Sequence, residues 1–254
     1  MSEPIYRPNM SLKGKLRRRI VRLQHRRPAR GRLTRTMVSF AFDDAPASAI
    51  TTGGAILERF GKRGTYFISA GLAGTSGHMG AYATRDQVMA ASRAGHEIAC
   101  HTYSHLDCAQ VDGETVARDI ARNSAMLVDW GAAEPTSFAY PFGDVGAAAK
   151  QAAGARFAFS RALHRGVVNT GSDLNQAPAI GIEGEGGERL AMRWLDKAHD
   201  QLGWVILFTH GVEAEATTFG ATVDGFSRLV GEAVARKFDI VTIAEGARRL
   251  AEPA

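Results

Sequence analysis

Short apolar runs alternating with longer stretches of helical periodicity constrain this chain more than any other feature. TMVSFAF (36–42), TYFIS (65–69), HEIAC (96–100), SFAY (137–140), RFAFS (156–160), WVILFT (204–209) and FDIVTI (238–243) read as strands, with APAIGI (177–182) a weaker candidate. Runs that are apolar without alternation suit strands buried on both faces. Between them, Thr84 and Gln87 form a capping-box pattern before VMAASRAG, ETVARDIARNSAMLVDW (114–130) stops at Gly131, and residues 188–202 and 223–237 complete the helices. Strand–helix alternation repeated this often specifies a parallel sheet, either closed or doubly wound. The count favours a (β/α) barrel of about seven parallel strands.

Charge divides the chain in two. Residues 1–36 hold twelve Lys and Arg against one acid, Glu3, out of totals of 31 basic and 26 acidic residues. The rest is mildly acidic, so the basic character belongs to an N-terminal arm, expected over residues 1–35, and residues 36–254 form the body. In the arm Leu12, Leu16, Ile20 and Leu23 recur at helical spacing among Lys13, Lys15, Arg17, Arg18, Arg19 and Arg22, up to Pro28. This predicts a short basic amphipathic helix. Its stripe suits the body, a second copy in a homodimer, or an anionic membrane contacted through residues 11–25. No nucleic acid is expected, because the arm lacks stacking aromatics and the body lacks a basic patch. No apolar run of signal-peptide or membrane-span length appears, and Cys100 and Cys108 make no disulfide framework. A cytoplasmic protein, at most peripheral at the inner membrane face, is the expectation.

The polar residues then sort to one side of the predicted sheet. Asp43 and Asp44 close the first strand, and His101 and His105 follow the third. YPFGD (140–144) follows the fourth, and His210 ends WVILFT. Carboxyl ends of strands meet on the face of a barrel that holds active sites. The spacing of His101 and His105 suits one face of a helical turn. A carboxylate with two imidazoles is a sensible set for a divalent ion that keeps open positions. Adjacent aspartates in a strand point apart, but a turn at the strand end lets one ligate while the other reaches the attacking water. The structural alternative is that the pair merely caps a helix beginning near Ala47. His96 is expected to satisfy hydrogen bonds within or beside a strand, His78, His164 and His199 have no evident partners, and Cys100 reads as a small core residue.

Phe42-Asp43-Asp44-Ala45-Pro46, His101-Thr102-Tyr103-Ser104-His105, Tyr140-Pro141-Phe142-Gly143 and the strand ending at His210 together resemble the successive motifs of the polysaccharide deacetylases, the NodB-homology or carbohydrate esterase 4 family. The resemblance spans roughly residues 36–250. It implies a distorted (β/α) barrel of NodB type and removal of N-acetyl groups from N-acetylglucosamine-type polymers. It gives Asp44, His101 and His105 the metal: zinc first, with Co²⁺, Ni²⁺ or Mn²⁺ as other divalent choices. Asp43 becomes the general base and His210 the general acid. The backbone N–H of Phe142, in the Tyr140-Pro141-Phe142 segment, helps bind the oxyanion, and Phe208 lines the acetyl-methyl pocket.

Three departures stand out. Ala45 replaces a common Gly. Ala139 replaces the Arg that holds the catalytic Asp, with Arg161 a substitute. The Asp of the fourth motif has no clear counterpart, Asp173 and the Trp194/Asp196 pair being the candidates. The alternative to an active enzyme is a catalytically weak or inactive carbohydrate-binding relative. The expected substrate is an acetylated amino-sugar polymer or its oligosaccharide or lipid-linked precursor, as in exopolysaccharide (holdfast-like) synthesis.

Overall fold

Strand β1 (Met37–Asp43) is buried along its whole length, as a strand covered on both faces must be. In the computed structural model, which describes residues 11–215 and 217–251, seven more strands join it. They are β2 (Thr65–Ile68), β3 (Glu97–Cys100), β4 (Ser137–Ala139), β5 (Phe159–Arg161), β6 (Ile180–Gly181), β7 (Trp204–Thr209) and β8 (Asp239–Ile240). All pair in parallel, in the order β5-β4-β3-β2-β1-β7-β6, with β8 beside the start of β1. A parallel bridge between Arg161 and Ala177 joins the two ends of this row. The sheet thus curls into the distorted barrel that the alternation predicts, with β8 a short addition.

The period of two along each strand sorts residues between two cores. In β1, Val38, Phe40 and Phe42 pack outward under the helices with Tyr66, Val205 and Leu207. Met37 and Ala41 pack inward with Phe67, Ala139, Phe159, Ile206 and Phe208. Asp43 continues the inward row. So does Arg161, two residues beyond Phe159. The expected strand at 156–160 lies further along, because Arg156 still belongs to a helix, and that shift places Arg161 inside the barrel.

The helices are α1 (Leu12–Val21), α2 (Ala55–Arg59, entered through π turns over Ala49–Gly54), α3 (Arg85–Arg93), α4 (Gly113–Trp130), α5 (Ala147–Arg156), α6 (Gly187–Asp200), α7 (Val223–Ala235) and α8 (Ile243–Ala251). Both bonds of the Thr84–Gln87 capping box form before α3. Gly131 ends α4 with φ of 106°, a conformation costly for a residue with a Cβ.

The first ten residues of the arm lie outside the described residues. Helix α1 is shorter than the 11–25 segment, and the arm then runs along the body. Ala29 N–H donates to the Ser172 carbonyl, and the Ala29 carbonyl accepts from Gly171 N–H, both at 2.8 Å. Val21 and Ala29 are buried in the body's cores. Among the described residues no helix is long and apolar enough to cross a membrane.

Candidate active site

The inward row of β1 delivers Asp43 to the carboxyl rim, and the next residue turns. Asp44 and Ala45 have φ of 55° and 48°, so strand alternation stops and both carboxylates enter one cleft. An alanine in this left-handed region carries a cost of about 1 kcal/mol that glycine avoids, which explains why Gly suits the position.

His101 follows β3 directly, but the segment to His105 is a loop, not the helical turn that the four-residue spacing suggested. Thr102 and His105 have φ of 60° and 53°. Asp119 of α4 holds the loop by accepting from the N–H groups of Tyr103 at 2.6 Å and Ser104 at 3.1 Å. Leu106 N–H donates to Thr102 Oγ1 at 2.8 Å. The outcome is that His101 Nε2 and His105 Nε2 lie 3.4 and 3.1 Å from Asp44 Oδ1.

Two observations show that these atoms suit a cation. His101 Nδ1 sits 2.8 Å from the carbonyl of Ala139, which assigns the ring proton to Nδ1 and leaves a lone pair on Nε2. Asp44 Oδ1 is buried with no hydrogen-bond donor. Electron-rich atoms thus converge on Asp44 Oδ1 with no donor to that oxygen, although His210 lies 3.9 Å from the other carboxylate oxygen. Burial also pushes the His101 imidazole down to about 4, against the pull of Asp44 and Asp43, so the neutral ring that a metal needs is the resident form. The ligand atoms of the three residues all lie within 4.8 Å of one another.

Asp43 is held differently. Arg161, wholly buried, donates from Nη2 to Asp43 Oδ1. Its guanidinium lies 4.9 Å from the Phe67 ring and 4.7 Å from the Phe208 ring. Burial by itself would raise the Asp43 carboxyl. Arg161, then His101 and His210, outweigh it and keep the group below the usual carboxylate range. Arg161 is the parallel register partner of Ala139. The guanidinium expected at Ala139 thus comes from the neighbouring strand, facing the same way.

His210, just past β7, lies with Nε2 3.9 Å from Asp44 Oδ2, and its Nδ1 bonds Glu183 Oε1. Burial opposes charging this ring, but Glu183, with Asp44 and Asp43 behind it, pushes it up to about 9. Glu183 was missed at the sequence level. Neither expected counterpart of the fourth motif is here: Asp173 binds Lys150 at 2.7 Å and Asp196 binds Arg236 at 2.6 Å. The signal that locates the other groups, a polar residue just beyond a strand, holds for Glu183 too, two residues past β6. With His210 in its expected role as the acid, activity is expected to fall as pH rises through its pKa. Glu183→Gln removes the charge that retains the proton. The alkaline limb of the kcat/KM profile is expected to move to lower pH by about one to two units; an unmoved limb would show that Glu183 does not tune the acid.

A cleft of about 760 Å³ gathers these groups between Phe142, Phe208, Tyr140, His78 and Phe219. Phe142, at φ of 59°, lays its ring 4.5 Å edge-on to His105. The Tyr140 hydroxyl points away, donating to the Asn175 carbonyl at 2.9 Å, and Pro141 is buried. His78, which the sequence left without a role, lines the cleft against Phe219 at 5.1 Å. His96 is structural, accepting from Gly64 N–H at 2.9 Å and reaching Glu58 at 3.1 Å. Burial raises the Cys100 thiol to about 11, an inert core group.

An ionised carboxylate, a protonated imidazole and a cation-ready cluster on the carboxyl rim of a (β/α) barrel define a hydrolase site. The polysaccharide deacetylase family matches residues 30–156, half of the chain, and the protein belongs to that family. Its substrate class is therefore acetylated polysaccharide. Solved structures share the fold. A Mycobacterium smegmatis protein assigned to the polysaccharide deacetylases superposes with a TM-score of 0.67 at 19% identity, covering 89% of this chain and 94% of its own. A family 4 carbohydrate esterase from Streptomyces lividans, in complex with acetate, gives 0.59 at 18%, covering 86% and 98%. A family 4 acetyl xylan esterase from Clostridium thermocellum, in complex with a cobalt ion, gives 0.59 at 16%, covering 82% and 89%. No curated protein matches the chain by sequence.

Proposed function

We propose that the protein removes N-acetyl groups from an N-acetylglucosamine-type polymer or its oligosaccharide or lipid-linked precursor, with residues 36–254 as the catalytic unit. The observation that carries this reading is the Asp44–His101–His105 cluster set between Asp43–Arg161 and His210–Glu183. These three residues would hold one divalent ion, zinc foremost. When bound it supplies Lewis acidity, which polarises the acetyl carbonyl and lowers the pKa of water. Asp43, kept ionised by Arg161, accepts the proton of the attacking water as its oxygen bonds to the acetyl carbon. The Phe142 amide is assigned to the oxyanion. His210, kept protonated by Glu183, gives its proton to the nitrogen as the C–N bond breaks, releasing acetate and the free amine. Phe208 bounds the space for the acetyl methyl.

The cleft does not stop at the reacting groups. A recess of about 390 Å³ continues it past His78, Met79, His210 and Phe219. Another of about 280 Å³ continues it past Phe142 and Leu163. A cleft extended by two further recesses suits a chain of sugars better than a single one.

The test is acetate release by metal-loaded protein on an acetylated oligosaccharide, a nucleotide-linked N-acetylhexosamine and a lipid-linked repeat. Release from at least one is expected, and none from any would refute the reading. His105→Ala is expected to lose bound metal, measured by elemental analysis, and at least ~100-fold in rate together. Full activity in the metal-free variant would remove the ion from the mechanism.

A further inference from the structure

Helix α1 meets the body with the wrong face for an ordinary amphipathic helix. Its buried residues are Gly14 and Val21. Arg17 bonds Asp144 at 2.5 Å and the Ala109 carbonyl at 3.3 Å, and Lys150 donates to the Val21 carbonyl at 2.9 Å. The aliphatic stripe points the other way: Leu12 is 84% exposed, Leu16 59%, Ile20 46% and Leu23 76%. At about 100° per residue Leu12, Leu16 and Ile20 fall within roughly 80° of one another, on the far side from Val21, and Leu23 follows in the turn after the helix. Lys13, Lys15, Arg19 and Arg22, all exposed, flank them.

We propose that α1 is a peripheral membrane-docking helix that seats the protein on an anionic bilayer surface. Leucine and isoleucine ringed by cations match the acyl boundary and headgroups of such a surface together. A second copy fits poorly. Two α1 helices joined by this stripe would bring two rings of cations together, and LKGKLRRRIV contains no acid to offset them. Nucleic acid would meet the cations but leave four aliphatics in water. The stripe does not need to leave the body to bind, because it already faces outward.

Placement gives the docking a consequence. Arg18 and Arg22 line the 280 Å³ recess whose other wall is Phe142, Gly143 and Leu163, and Phe142 and Leu163 also line the catalytic cleft. A bilayer against α1 brings that recess to the headgroup layer. A glycan held at the membrane would enter there. This consequence rests on the deacetylase reading; the docking itself does not.

Deleting the arm is a poor test, since it strips Val21 and Ala29 from the cores. Point variants on the exposed face avoid this. Full-length protein is sedimented with vesicles of phosphatidylcholine containing phosphatidylglycerol, and with phosphatidylcholine alone. Wild type is expected to bind only the anionic vesicles and to release at high salt. Leu16→Glu/Ile20→Glu is expected to bind at least ~10-fold more weakly. Lys13→Gln/Lys15→Gln/Arg19→Gln is expected to lose roughly fivefold per cation. Both variants should keep the wild-type melting temperature and acetate release on a soluble oligosaccharide. Equal binding by the glutamate variant, or no wild-type binding to anionic vesicles, overturns the proposal. So does a lipid-free dimer that the glutamate variant dissociates. Because sedimentation reads no catalysis, failure here leaves the deacetylase reading standing, and absence of acetate release leaves the docking standing.

Discussion

Asp43→Asn is expected to lower acetate release by about 10³-fold or more while bound metal stays near one ion per chain. A positioned general base contributes roughly 10²–10⁴ in rate, and among the described residues no second carboxylate is placed to replace it. Asp44 already faces His101 and His105 through Oδ1, and Glu183 is engaged with His210. The asparagine keeps an oxygen that accepts from Arg161, so the cleft should retain its shape, but it cannot take a proton. Some stability is lost as well, because Arg161 remains buried without its anion. Rates are therefore compared well below the variant's melting temperature, alongside elemental analysis. Metal lost in proportion to activity would make Asp43 a ligand rather than a base. Retention of more than a tenth of the wild-type rate would end its role altogether.

The parts of the site that could be read without a structure were those whose chemistry is rare and whose position is local. Asp43, Asp44 and His101 stand at or just past the ends of apolar runs with His105 four residues on, so strand ends point to the cluster, while the choice of Asp44 over Asp43 as ligand comes from the family resemblance. The supporting groups were harder because they depend on register. Glu183 lies in the run GIEGEGGE with Glu185 and Glu188, beside a strand of two residues. Glu183 does lie just past a strand, but so short a strand is hard to see in one dimension and Glu185 and Glu188 compete for the role, whereas in the fold Glu188 turns out to Arg228 at 2.7 Å. Arg161 could be noted as a candidate, but its equivalence to position 139 exists only because β4 and β5 pair Ala139 with Arg161. The same limit applied to α1. Periodicity showed that a stripe exists but not which way it faces, and Gly14 and Val21, a weak apolar pair by sequence, form the docked side.

Arg161→Met should show what this relocated guanidinium does. Asp43 then stays buried with no adjacent cation, and breaking a buried pair from one side costs about 3–5 kcal/mol. The sign of the pH dependence follows from the carboxyl. In the wild type Arg161 and its neighbours hold Asp43 below the ordinary range, so its stabilising effect is present at neutral pH and is lost as pH falls through that lowered value. Without Arg161, burial dominates and raises the group. The variant's deficit is then full at neutral pH and shrinks on acidification, as Asp43 takes up a proton and its charge disappears. Activity should fall by about 100-fold or more near neutrality, with the acidic limb of kcat/KM moved to higher pH. Arg161→Lys keeps the charge but not the flat group between Phe67 and Phe208, and should recover stability better than rate. The decisive variant is Ala139→Arg/Arg161→Ala. Residues 139 and 161 share a face and a register position, so an arginine on β4 enters the space vacated on β5 and aims at the same carboxylate. Recovery of rate and of the acidic limb beyond the level of Arg161→Ala alone is expected in thermal melts and pH–rate profiles. A double variant no better than Arg161→Ala would mean that Arg161 serves the packing of the barrel rather than the charge of Asp43.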